Sequence, residues 1–183
     1  MSETIEDFKR AVALFDSVVA DVPADAWGNT TPCEAWNATE LVRHQCGVLD
    51  ALADIARTGA INMPQMAPET DDPAGRWAET RDGIASALNG ADLAVEGRYW
   101  FGPMNFEDFV GMVQWDPLTH SWDLGQSAGV AVELPEDLCV SSLARVKSLG
   151  DIPRKWKLIT DEVPVPEDAT PAQRYLAYVG RQP

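Results

Sequence analysis

Basic residues are scarce. Lys and Arg total 14 against 29 Asp and Glu, a formal net charge of −15. Such a surface repels phosphate backbones and anionic headgroups, which argues against a nucleic-acid or membrane-surface role. Cysteine is sparse too. Cys33, Cys46 and Cys139 form no C-x-x-C pair, and an odd number leaves one over in any disulfide scheme, which suits a reducing compartment. No apolar run approaches the ~20 residues that cross a bilayer. The opening stretch MSETIEDFKR has no basic segment leading into an apolar one, so no signal peptide is expected and a cytoplasmic location is. Histidine is scarcest of the chemically versatile residues: only His44 and His120 occur.

What is present is ordinary for a globular chain: 183 residues, 45% hydrophobic and 23% charged, with 13 Gly and 13 Pro. That length suits one domain burying about 70% of its unfolded surface. Apolar residues at helical spacing predict a first helix over about 4–21, carried by Ile5, Phe8, Val12, Phe15, Val18 and Val19. A second is expected over 38–58, with Asn37 and Glu40 as a capping pair and Gly59 as the stop. Pro73 suits the first turn of a third, over 73–89. A fourth, over 106–128, contains Pro117, which predicts a kink there. An extended piece precedes it, and a C-terminal extension, 135–183, is read as a shorter helix, one β-like piece and a final helix at about 171–179. The expectation is a single all-α domain: a four-helix bundle with short C-terminal appendages.

Both histidines fall on inward stripes of long helices, and Asp116 stands one turn before His120. Positions four apart differ by only about 40° around a helix, so the two side chains can face one point. If the second helix packs beside the fourth, His44 completes a facial set of two imidazoles and one carboxylate. Three protein ligands and one open position is how catalytic metal sites are built. The same three residues also read as an internal ion-paired network, and spacing leaves both readings open.

Three segments add a resemblance. TPCEAWNATELVRHQ (31–45) resembles the opening of the metal-binding domain of mycothiol-dependent maleylpyruvate isomerases, in the DinB-like four-helix-bundle superfamily. DPLTHSWDLGQSAG (116–129) is similar to that family's H-x-W-D-L-A-x-A-x-G segment. The ending PVPEDATPAQRYLAYVGRQP (164–183) is similar to that of stand-alone actinobacterial metal-binding proteins. The resemblance implies a DinB-like bundle holding a divalent ion, zinc or alternatively nickel, by His44, His120 and a third group one turn before His120. Relatives commonly carry Glu or His there; here it is Asp116, whose shorter reach would bring the ion closer to the fourth helix.

A metal suits a low-molecular-weight thiol, because a soft thiolate both binds zinc and acts as nucleophile. The implied partners are therefore a small thiol such as mycothiol and a small electrophile, in a transfer or isomerisation. Arg81 and Arg98, with Arg43, are candidate anchors for carboxylates. Asp123 reads as a supporting partner of His120 or as a surface acid, Trp100 and Phe101 as pocket walls or packing, and Cys33 as a structural thiol. The alternatives are a non-catalytic metal or ligand-binding module, or a structural protein. A homodimer is compatible with any of these.

Overall fold

The first helix, α1 (Glu3–Asp21), starts where the Ser2 hydroxyl accepts from the Ile5 amide and buries the whole expected stripe from Ile5 to Val19. Residues 2–34 and 36–183 are described in the computed structural model. In α2 (Ala38–Thr58) the Asn37 and Glu40 side chains satisfy each other's backbone amides, and Gly59 ends the helix at φ 72. Pro73 opens α3 (Pro73–Gly90), whose Trp77 meets Phe15 edge-on at 4.6 Å and donates its ring N–H to Asp16 at 2.9 Å. Full burial of aromatic and aliphatic side chains of this kind stabilises by about 1.5–3 kcal/mol each, and the main core joins them from α1, α2 and α3 to Phe106, Phe109, Val110, Val113 and Leu124.

The stretch before the fourth helix is an antiparallel ribbon, β1 (Glu96–Tyr99) and β2 (Gly102–Asn105), with Tyr99 opposite Gly102. Tyr99 stacks on Phe109 at 4.6 Å, fastening the ribbon to the bundle.

The expected fourth helix is two: α4 (Phe106–Val113) and α5 (Trp115–Ala128), divided at Gln114 rather than kinked at Pro117. The cause is still the proline. Pro117 has no N–H to give the Val113 carbonyl, and its ring crowds that carbonyl, so the disruption falls a turn upstream. A new helix therefore starts beside Asp116, and its first-turn amides favour a carboxylate there.

In the C-terminal extension, α6 (Glu136–Ser148) and α8 (Pro171–Tyr178) pack together and against α5 around Leu138, Cys139, Tyr175 and Val179. A single turn, α7 (Ile152–Lys155), was not expected from the sequence. The β-like piece of the tail is not a strand among the described residues. Pro164 and Pro166 remove the donors from one edge of that segment, so it cannot pair on that side. The architecture is the all-α, DinB-like four-helix bundle with C-terminal appendages.

Candidate metal centre

α2 and α5 cross so that His44, Asp116 and His120 meet. One donor atom from each lies within 4.8 Å of the others. His44 Nε2 is 3.4 Å from Asp116 Oδ2, and His120 Nε2 is 3.5 Å from Asp116 Oδ1. Donors bound tetrahedrally at ~2.0–2.1 Å are about 3.3 Å apart. Each imidazole nitrogen therefore stands near that spacing from a different Asp116 oxygen, and two imidazoles with one carboxylate are a borderline donor set suited to zinc or nickel. The residues fit a divalent ion.

Each of the three side chains is held from behind. The His44 ring lies flat on Trp36, centroids 4.3 Å apart and 20° between planes. The Gln45 amide, fully buried, donates to Asp116 Oδ2 at 2.6 Å. His120 Nδ1 is 2.9 Å from Asp123 Oδ2, and Asp123, itself fully buried, receives both arms of the Arg181 guanidinium. Of its two sequence readings, Asp123 is thus the supporting partner. Burial pushes the Asp116 carboxyl up, but His44, His120 and Gln45 outweigh it and hold it down at about 2. Asp123 is likewise driven up by burial and held below the usual carboxylate range by Arg181 and His120.

His44, Asp116 and His120 form the floor of a cavity of about 400 Å³ walled by Trp36, Val48, Met63, Met66, Trp100, Phe101 and Trp115. Two of those walls are fastened to each other: the Trp100 ring N–H donates to the Asn62 carbonyl at 2.8 Å. The loop bearing the methionines is pinned to α2, because Arg43 Nε donates to the Ala67 and Pro68 carbonyls at 2.9 and 3.2 Å. Gly47 also lets that loop approach: a Cβ there would run into the Gln65 carbonyl. Trp156, Lys157 and Leu158 complete the mouth. Lys157, at φ 59, is the one non-glycine residue with positive φ among those described, and the one Lys or Arg on the cavity wall. A wider, open depression of about 540 Å³ over the start of α2 is lined by Glu40, Glu69, Asp71 and Arg43, far less apolar and without the histidines.

The arginines singled out in the sequence stand elsewhere. Arg81 is bound to Asp16 at 2.8 Å and to Asp82 at 2.9 Å, on the α1–α3 side. Arg98 is exposed on β1, where strand alternation sets it opposite the inward Tyr99. Neither lines the cavity; Arg43 shapes its wall instead. Cys33 does line it, whereas Cys46 is buried and its thiol pushed up by desolvation. No disulfide forms among the described residues.

Gln45, Lys157 and Arg181 were not found from the sequence. Gln45 carried a signal: it lies four residues after the inward Leu41, so a polar amide was due on a buried face. Lys157 and Arg181 carried none, since irregular segments have no period to read.

Uncharacterized proteins of Mycobacterium tuberculosis strains CDC 1551 / Oshkosh and ATCC 25618 / H37Rv are each 28% identical over 177 residues, covering 94% of this chain and 94% of their own. No solved structure matches significantly. The mycothiol maleylpyruvate isomerase N-terminal domain family matches residues 8–125, which include His44, Asp116 and His120, and the chain belongs to that family.

Proposed function

We propose that the protein is a metal-dependent, thiol-using transferase or isomerase acting on a small electrophile. The observation that supports this most directly is the His44–Asp116–His120 set at the floor of an apolar cavity. His44, Asp116 and His120 would hold a zinc or nickel ion, which when bound lowers the pKa of a coordinated thiol and leaves a position for it. The chain's own residues supply the rest. Trp36 and Gln45 keep the ligands aimed, so little reorganisation is needed on binding. The aromatic and methionine walls exclude water and take the apolar body of the electrophile. Lys157, which lines the cavity, would receive a carboxylate, the role that Arg81 and Arg98 do not fill.

Two measurements test this reading. Protein purified without a chelating tag should carry close to one zinc or nickel per chain, lost in His44→Ala and His120→Ala. It should also consume mycothiol in the presence of at least one member of a panel of maleyl and halogenated electrophiles. A native chain that takes up neither metal, even after supplementation, would end the proposal. Metal uptake with no thiol consumption would reduce it to a binding module.

A further inference from the structure

The C-terminal residues lie beyond the family match at 8–125, yet one of them reaches the centre. Arg181 is only 6% exposed. Its Nε donates to Asp123 Oδ1 at 2.8 Å and its terminal nitrogen to Oδ2 at 2.7 Å, while the other terminal nitrogen takes the Val179 carbonyl at 3.2 Å. The backbone fixes this approach: the Arg181 amide donates to Leu176 at 2.8 Å, and Gly180 turns at φ 84 against Thr160. The plane of Asp123 is therefore locked to the guanidinium fork, which a lysine could not do.

Asp123 Oδ2 also faces His120 Nδ1 at 2.9 Å. An ionised carboxylate only accepts, so the proton of that bond is on Nδ1, and Nε2 is turned to the opposite side, 3.5 Å from Asp116 Oδ1. We infer that Arg181 is a positioning residue for His120: through Asp123 it fixes the tautomer and ring plane that aim Nε2 at the metal position. The last turn of the chain thus completes a site built on α2 and α5. The consequence for metal affinity rests on the metal reading proposed above; the tautomer does not.

The test uses the full-length, metal-free protein labelled with ¹⁵N-histidine, where the two rings are told apart with His44→Gln. Wild type should show His120 as the Nδ1–H tautomer, and Arg181→Lys should show a mixture. Zinc affinity should fall about tenfold in Arg181→Lys, at the lower end of what outer partners of ligands contribute. In an Asp123→Asn background the same change should matter less than about twofold, because the effect travels through Asp123. Urea unfolding checks that each variant folds, with Arg181→Gln as a second choice. An unchanged tautomer in the variant, or equal losses of affinity in both backgrounds, would overturn the inference. The expected tautomers in a chain that binds no zinc would leave Arg181 in its role and bring down the metal reading alone.

Discussion

Replacing Asp116 by Asn keeps the side chain's size and removes the one charge facing both imidazoles. In the folded chain the carboxyl is held at about 2, against 3.8 in the absence of these neighbours. At about 1.36 kcal/mol per unit, its ionised form contributes about 2 kcal/mol to stability. Because the folded value is the depressed one, that contribution is complete above the unfolded pKa near 4 and is lost as pH falls toward 2. With a urea slope of about 2 kcal/mol per molar, metal-free Asp116→Asn should unfold at about 1 M less urea than wild type at pH 5. By pH 3 the gap should shrink to about half. Urea titrations followed by tryptophan fluorescence, with chelator present, read both numbers. A gap missing at pH 5, or one equally wide at pH 3, would refute the electrostatic account of this centre.

Other outcomes follow from packing and backbone chemistry. Gly47→Ala should lower stability by about 1–3 kcal/mol and loosen the loop carrying Met63 and Met66, since its Cβ meets the Gln65 carbonyl; thermal melts and proteolysis of that loop read this. Pro117→Ala restores an amide to the Val113 carbonyl and should join α4 to α5, leaving stability unchanged or higher while zinc affinity falls, as measured by chelator competition. A thiol reagent should modify Cys33 first, because it lines the cavity, with Cys46 and Cys139 reacting only on unfolding; their buried thiols are pushed up, Cys139 to about 12. An apolar ligand seated in the cavity should slow that first reaction.

The bundle was legible because its signals are local. The α1 stripe, the Asn37–Glu40 capping pair with Gly59, and Pro73 each specify an element within a few residues, and the structure keeps those boundaries closely. The pairing of Asp116 with His120 was legible for the same reason: a spacing of four fixes a direction on any helix. Pro117 announced a disturbance but not its place, since the crowded carbonyl lies four residues upstream, and the division fell at Gln114.

What the sequence determined by itself is therefore the helices, their inward faces and two of three converging donors. Only the tertiary structure decided that His44 arrives at the same point, that loop and ribbon roof it, and that Arg181 holds Asp123. It also decided that Arg81 is spent on Asp16 and that Lys157 takes the mouth. The physical reason is range. Periodicity and capping act over one or two turns, whereas which imidazole meets which carboxylate depends on how whole helices cross and where an aperiodic tail is able to dock.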